Sequence, residues 1–295
     1  MRRLLTATSI LLLLLLNTLT LIGPLLLIAL LKLVLPGKRL RNLCSRGVMW
    51  VAESWAEIDK AIFALLTPTQ WDIRGGEGLR NDRSYLVVSN HQSWVDIPAL
   101  VQAFNRKTPY FKFFLKQQLI WVPFLGLAFW ALDYPFMKRY SKAYLAKHPQ
   151  MAGKDLQITK RACERFKELP VTLVNYLEGT RCTPAKQAQQ SSPYQYLLKP
   201  KAGGVAFALA ALGEQFDALL DVTVVYPGNR PPGFWALLSG QLPKVIIDIQ
   251  TRELDTQLWA GDYENDGQFR QLVQGWVSAL WEAKDTRIAE LKQQF

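Results

Sequence analysis

The 295-residue chain is long enough for one large domain with a membrane attachment, and its 49% hydrophobic and 12% aromatic content excludes a disordered protein. Its formal charge of +11 calls for an anionic partner, which is nucleic acid, an anionic membrane surface or a phosphorylated substrate. Three unpatterned cysteines and two histidines argue against a disulfide framework and a zinc cluster, and favour a reducing compartment.

The first predicted element is an apolar run over residues 4–31 that contains no charged residue. As a helix it would extend about 42 Å, against about 30 Å for the hydrocarbon core of a bilayer. We therefore expect residues 1–36 to form a membrane anchor. The run lacks a following small-residue cleavage site, which argues against a secretory signal peptide.

Gly23-Pro24 interrupts this run, so the pattern permits one tilted, kinked span or two short legs of a re-entrant helical hairpin. Two arginines precede the run, and several lysines and arginines follow it between residues 32 and 46. This bias predicts attachment to the inner membrane with the remainder of the chain in the cytoplasm.

An amphipathic connecting helix is predicted within residues 37–70, because apolar residues recur there three and four positions apart. The stripe consists of Val48, Val51, Trp55, Ile58, Ile62 and Leu65. We favour packing against the protein core over membrane contact as its role.

From residue 71 to 295, short β-rich runs alternate with helical patterns, which predicts a single α/β domain. The predicted strands lie at 85–89, 110–115, 171–177, 222–226 and 245–249, and helices at 155–169 and 269–291. The polar stretch 187–192 is too short to separate two domains, so we expect a surface loop there.

The most informative segment is Ser89 to Asp96, which follows a buried-looking strand and precedes a helical run. With Ser93 as the helix N-cap, Asp96 would lie in the first turn and could orient the imidazole of a loop His91. This is a base with its orienting group and no protein nucleophile. Asp96 also fits a capping box with Ser93, and both roles can coexist.

A second polar strand end is Glu178-Gly179-Thr180-Arg181, which follows the apolar run 171–177. Gly179 permits a tight turn, Thr180 offers a hydroxyl, and Arg181 offers a guanidinium fork suited to phosphate. An ordinary turn with an exposed ion pair is the structural alternative.

A third segment is Phe136-Met137-Lys138-Arg139, which follows the uncharged, very apolar residues 117–132. About 16 residues are too few for a membrane span, so a buried helix or a membrane-dipping surface is expected. Lys138 and Arg139 equally fit solvated surface charges.

Taken in order, these segments resemble the glycerolipid acyltransferase family of lysophosphatidate acyltransferases, the PlsC type. NHQSWVD at 90–96 matches its NHxxxxD motif, FMKR at 136–139 resembles the second motif, and EGTR at 178–181 is the third. VTVVYP at 222–227 resembles the fourth, where Tyr226 departs mildly from the family. Residues 197–204 and 231–240 look like the branch that holds lysocardiolipin acyltransferases.

The resemblance implies a single sheet-plus-helices acyltransferase domain in which His91 and Asp96 form the catalytic dyad. It implies five further substrate-site residues, namely Arg139, Glu178, Gly179, Thr180 and Arg181. The two arginines would hold the acceptor phosphate, while Glu178 and Gly179 would shape the site.

The implied reaction moves a fatty acyl group from acyl-CoA or acyl carrier protein to the free hydroxyl of lysophosphatidate or a related lysophospholipid. We expect no metal and no other cofactor, and no nucleic-acid partner, because the basic charge is diffuse. Two alternatives stay open. One is a hydrolase that uses water as acceptor, and the other is a non-catalytic membrane protein that binds anionic lipids, with a structural His91.

Overall fold

The computed structural model describes residues 1–122, 125–137, 166, 169–228 and 230–295. Its first element, α1, is one uninterrupted helix over Arg2–Val34 with Pro24 inside it. Of the two alternatives that the sequence leaves open at Gly23-Pro24, the structure therefore has the single helix. Within the described residues, α1 alone is long and apolar enough to cross a membrane.

α1 pairs with a second long helix, α2 (Lys38–Leu66), and a short turn at Gly37 joins the two. Asn17 of α1 donates to the carbonyl oxygen of Trp55 at 2.9 Å and to Asp59 at 2.8 Å, while Gly47 faces Ile28. These contacts run in opposite directions along the chain, so α1 and α2 form an antiparallel helical hairpin.

The predicted apolar stripe of α2 is confirmed at three positions and wrong at two. Val48, Val51 and Ile62 are buried, whereas Ile58 and Leu65 are 44% and 84% exposed. The buried face of α2 also includes Ala52, Ala56 and Phe63. A stripe chosen by the largest apolar side chains misses the two alanines.

The core of the fold is a six-stranded sheet in the order β1-β8-β7-β2-β6-β3. Its strands are β1 (Gln70–Arg74), β2 (Tyr85–Ser89), β3 (Phe111–Phe113), β6 (Thr172–Tyr176), β7 (Ala218–Val225) and β8 (Lys244–Arg252). A separate parallel pair joins β4 (Leu115–Lys116) to β5 (Phe136–Met137). The α/β prediction and its five strands are confirmed, although 110–115 divides into β3 and β4, β7 begins four residues early, and β1 and β5 were not predicted.

Helices cover both faces of this sheet. Besides α1 and α2, they are α3 (Asp96–Phe104), α4 (Leu125–Ala131), α5 (Pro184–Gln190), α6 (Ala202–Leu212), α7 (Phe234–Leu238) and α8 (Gly267–Lys292). The hairpin, α3 and α7 share one apolar cluster with one face of the sheet, and α6 and α8 share a second cluster with the other face. The predicted final helix is confirmed as α8, while most of the predicted helix 155–169 lies outside the described residues.

Strand direction determines where the loops of the sheet meet. β7, β2, β6 and β3 are mutually parallel, whereas β8 and β1 run the opposite way. In the central ladder, Ser89 at the end of β2 pairs with Tyr176 of β6 and with Val222 of β7. The segments that follow β2, β6 and β7 therefore leave the sheet at the same edge, where open α/β sheets place ligand sites.

Candidate active site

The loop after β2 brings His91 and Asp96 into direct contact. His91 Nδ1 lies 2.7 Å from Asp96 Oδ2. Because a carboxylate accepts hydrogen bonds, this contact assigns the proton to Nδ1 and leaves Nε2 as the nitrogen that can accept one. The side chain of His91 is 17% exposed and that of Asp96 is 1% exposed. A ligand can therefore reach the imidazole but not the Asp96 carboxylate.

Asp96 receives hydrogen bonds on both carboxylate oxygens. Besides His91, Oδ2 accepts from the backbone N–H groups of Gln92 at 2.7 Å and Ser93 at 2.9 Å. Oδ1 accepts from the hydroxyl of Tyr226 at 2.5 Å. Four donors thus fix one buried carboxylate. The N-cap of α3 is Val95, so the prediction that Ser93 caps this helix is wrong. Asp96 does accept from the Ser93 N–H, but the reciprocal bond of a capping box is replaced by one from the Asp96 N–H to the Ser93 carbonyl oxygen.

Aromatic rings fix the plane of the imidazole. The ring of Tyr176, at the end of β6, stacks on His91 with centroids 4.1 Å apart and an interplanar angle of 17°. The ring of Phe113, from β3, stacks on the far side of Tyr176 at 5.7 Å. Such a stack presents π-electron density to the imidazole, which favours its cationic form during proton transfer.

Glu178 ties the loop after β6 to the loop after β2. Its carboxylate accepts from the backbone N–H of His91 at 2.8 Å and from that of Leu198 at 3.1 Å, and the residue is fully buried. Burial raises the pKa of Glu178 to about 8, and the two backbone N–H bonds act in the opposite direction. In this arrangement the carboxylate shapes the loop from inside.

The next two residues form a tight, polar turn beside Glu178. Gly179 has a φ of 66°, a conformation that side chains rarely adopt, and an added Cβ would lie 3.3 Å from Nζ of Lys201. The Thr180 hydroxyl accepts from Nζ of Lys186 at 2.6 Å. Lys186 and Lys201 therefore add positive charge at this turn.

Arg181 completes the turn at the surface. Its guanidinium carbon lies 4.6 Å above the ring of Trp94, which belongs to the loop that holds His91 and is 56% exposed. This cation–π contact holds the exposed Arg181 against the loop that carries His91. The structure therefore brings together His91, Asp96 and the Glu178–Arg181 turn, whereas Arg139 lies outside the described residues.

The acyltransferase family matches residues 70–227, a range that contains β1 through β7 and every residue of the site described above. The chain belongs to the acyltransferase family. Within the described residues, no group of three histidine, cysteine or acidic side chains is arranged to hold a metal ion.

Several relatives of the acyltransferase family resemble this chain. Lysocardiolipin acyltransferase 1 of Gallus gallus is 24% identical over 81% of the chain and 61% of that protein. 1-Acyl-sn-glycerol-3-phosphate acyltransferase epsilon of Mus musculus is 28% identical over 73% of the chain and 60% of that protein. The chain thus spans about six-tenths of the length of these relatives.

A solved structure has the same fold. It is that of the 1-acyl-sn-glycerophosphate acyltransferase PlsC from Thermotoga maritima, which is 20% identical and superposes with a TM-score of 0.50. The match covers 95% of this chain and 98% of that one. The fold predicted from the sequence, a single sheet with helices and an apolar N-terminal helix, is therefore confirmed.

Sequence reasoning missed the aromatic and hydroxyl contacts of the dyad. Tyr176 stacks on His91, Tyr226 bonds to Asp96, and Trp94 holds Arg181. One signal was available, because Tyr176 and Tyr226 are tyrosines at or next to the ends of two predicted strands. Both tyrosines would lie beside His91 if their strands neighboured β2 in parallel, but the sequence patterns do not give the order of the strands in the sheet.

We predict that Glu178→Gln flattens the dependence of stability on pH. In the wild type, Glu178 keeps its proton up to about 8 when folded and would lose it near 4.5 when unfolded, so stability falls as pH rises between these values. The amide of Glu178→Gln does not titrate in this range. Its melting temperature should therefore change less than that of the wild type between about pH 6 and 9, since a pKa difference of one between the folded and unfolded states corresponds to ~1.4 kcal/mol.

Thermal unfolding followed by circular dichroism over this pH range measures the effect, with Glu282→Gln, an exposed glutamate of α8, as the matched control. Glutamine cannot accept both backbone N–H bonds, so we expect a lower absolute melting temperature as well. Parallel curves for wild type and Glu178→Gln would contradict the raised pKa.

Proposed function

We propose that this protein is a membrane-bound acyltransferase that moves a fatty acyl group from a thioester to the free hydroxyl of lysophosphatidate or a related lysophospholipid. The observation that carries the proposal is the hydrogen bond between His91 Nδ1 and Asp96 Oδ2 at the open edge of the sheet. Membership of the acyltransferase family supports the same chemistry. The names of the relatives support a lysophospholipid acceptor.

In the proposed reaction, Nε2 of His91 takes the proton from the acceptor hydroxyl as its oxygen attacks the thioester carbonyl. The tetrahedral intermediate then expels the thiolate, which receives the proton from the imidazolium. Asp96 stabilises the imidazolium between these steps, and the Tyr176 ring supports it from one face. The products are the diacyl phospholipid and the free thiol.

The proposal needs no acyl-enzyme. Cys182 directly follows the Glu178–Arg181 turn, is 7% exposed, and has its Sγ 3.5 Å from the carbonyl oxygen of Tyr196. Burial, together with the nearby Glu178, raises the pKa of Cys182 to about 12. A thiol in this state is a poor nucleophile at neutral pH, which favours direct transfer to the acceptor.

We assign the acceptor phosphate to Arg181, which Trp94 holds at the mouth of the site. Charge-assisted hydrogen bonds from a guanidinium orient a phosphate without taking part in the chemistry. Arg139, which the motif resemblance implies, would be a second phosphate ligand. Thr180 and the Lys186 that bonds to it lie in the same turn and extend its polar surface.

The donor is an acyl-CoA or an acyl carrier protein, because both are anionic and the chain carries a formal charge of +11. Lysocardiolipin or lysophosphatidylglycerol is the alternative acceptor. Lysocardiolipin acyltransferases of Gallus gallus and Mus musculus are among the relatives, each about a quarter identical to this chain.

We propose that α1 attaches the protein to the inner membrane and that the acyltransferase domain, residues 71–295, faces the cytoplasm. One side of α1 packs on α2, and the other side exposes a leucine-rich surface that includes Leu12, Leu16 and Leu19. These three leucines lie four and three positions apart, so they share one helical face. More basic residues follow the apolar run than precede it, which supports the cytoplasmic orientation.

We predict that His91→Ala lowers kcat by about 10³-fold or more, because a general base contributes roughly 10²–10⁴ to the rate. The assay uses purified protein and follows labelled acyl transfer from acyl-CoA, or from acyl carrier protein, to lysophosphatidate, lysophosphatidylglycerol and lysocardiolipin. Thermal melting of the variant confirms that it is folded. Equal activity in wild type and variant would contradict the assignment of the base.

The same assay separates the two alternatives. Thioester cleavage without an acceptor, followed by no acyl lipid when the acceptor is added, would identify a hydrolase. A wild type that is inactive with every donor and acceptor, while binding anionic vesicles as His91→Ala does, would identify a non-catalytic lipid-binding protein.

We predict that the triple variant Leu12→Asn, Leu16→Asn, Leu19→Asn loses at least about 100-fold in vesicle partitioning. Full burial of one leucine contributes roughly 1.5–3 kcal/mol, so even partial insertion of three exceeds this threshold. The measurement is co-flotation with phosphatidylethanolamine–phosphatidylglycerol vesicles at high salt after detergent removal. Leu272→Asn, an exposed leucine of α8 on the opposite layer, is the control, and loss of binding there instead would overturn the assignment.

A further inference from the structure

The hydroxyl of Tyr226 reaches the catalytic dyad from a third strand. Tyr226 directly follows β7, which pairs in parallel with β2, so its side chain enters the site beside the loop that carries His91. Both Tyr226 and Asp96 are almost completely buried, with 2% and 0% exposure. Their contact is therefore part of the interior, where no bulk water can replace it.

The two oxygens of Asp96 have different partners. Oδ2 accepts from His91 and from two backbone N–H groups, all within 2.9 Å. Oδ1 accepts from the Tyr226 hydroxyl at 2.5 Å. The terminal torsion of aspartate is intrinsically broad, so a twist of the carboxylate about this torsion would lengthen the contacts on both oxygens.

We propose that Tyr226 is a positioning residue for the transfer reaction, because its hydroxyl locks the Asp96 carboxylate in the rotamer that holds the proton of His91 on Nδ1. With that proton fixed, Nε2 keeps its lone pair toward the acceptor hydroxyl. The inference rests on the proposed function and adds a third member to the dyad. Tyr226 acts through Asp96 and does not itself touch the reacting atoms.

The structure supports Tyr226 as a permanent donor. Burial, with the neighbouring Asp96 charge, raises the pKa of Tyr226 well above its usual value, so the hydroxyl keeps its proton. The segment after β7 is also anchored, because Nζ of Lys292 in α8 donates to the carbonyl oxygens of Gly228 at 2.6 Å and Tyr226 at 3.4 Å. A protonated hydroxyl on an anchored backbone has the geometry that the positioning role requires.

Tyr226→Phe tests the proposal, since it removes the hydroxyl and retains the ring in the core. We expect kcat to fall about 10- to 100-fold while KM for donor and acceptor stays within about twofold, because the substituted atom contacts no substrate. The matched control is Tyr85→Phe, a buried tyrosine at the opposite end of β2 whose hydroxyl accepts from the Arg80 N–H. Its kcat should stay within about twofold of wild type.

A double-mutant cycle separates positioning from a general effect on folding. If Tyr226 acts through Asp96, Tyr226→Phe should have little further effect on kcat once Asp96→Asn is present. Independent, multiplicative losses in the double variant would overturn the proposal. Thermal melting of all four proteins shows that the rates compare folded enzymes.

NMR of the His91 ring nitrogens gives a readout that does not depend on turnover. In the wild type we expect the neutral ring to carry its proton on Nδ1, where it bonds to Asp96. Tyr226→Phe should instead show a mixture of the Nδ1 and Nε2 tautomers, because the Asp96 carboxylate is less constrained. The variant keeps the stacked Tyr176 ring and the bond from the His91 backbone to Glu178 in place.

The outcomes distinguish this inference from the proposed function. Transfer by the wild type that disappears in His91→Ala supports the function, and a normal kcat in Tyr226→Phe would then overturn the positioning role. If the wild type transfers nothing, the proposed function fails. The tautomer of the His91 ring then decides the remaining structural claim, which a pure Nδ1 tautomer in Tyr226→Phe would overturn.

Discussion

The site depends on the parallel pairing of β2 with β6 on one side and with β7 on the other. Because Ser89 pairs with Tyr176 and Val222 at the same level, the three following segments leave the sheet together. The side-chain amide of Asn90 extends this register by one residue, since it both donates to and accepts from the backbone of Val224 at 2.9 Å. The loop of His91 therefore begins from a fixed backbone.

From this edge, each neighbouring strand contributes a different element of the site. The segment after β6 supplies the carboxylate of Glu178, which bonds to the His91 backbone, and β6 itself supplies the ring that stacks on the imidazole. Tyr226, directly after β7, bonds to Asp96. Asp96 is the first residue of α3, and Asn105 at the end of that helix donates to Glu57 of α2 at 2.7 Å. The hairpin partner of α1, the helix that we propose for membrane attachment, thus also supports the helix that carries Asp96.

The sequence predicts the local parts of this arrangement and misses the contacts between them. His91 and Asp96 are five residues apart, so their pairing follows from a loop and a helix start. Tyr226 lies 130 residues from Asp96, and its contact requires the strand order of the sheet, which hydrophobic patterns do not encode. The α2 stripe fails for a related reason, because Ala52 and Ala56 are buried by tertiary packing that their own small side chains do not signal. Pro24 interrupts the apolar pattern, yet α1 continues as a helix through it.

The central claim is that His91 activates the acceptor hydroxyl directly, with no acyl group on the protein. Rapid mixing of the enzyme with acyl-labelled acyl-CoA, without and then with lysophosphatidate, tests it. We predict no burst of free thiol and no labelled protein until the acceptor is present, after which thiol and acyl lipid appear at equal rates. A burst stoichiometric with enzyme in the absence of acceptor, together with label bound covalently to the protein, would contradict the account.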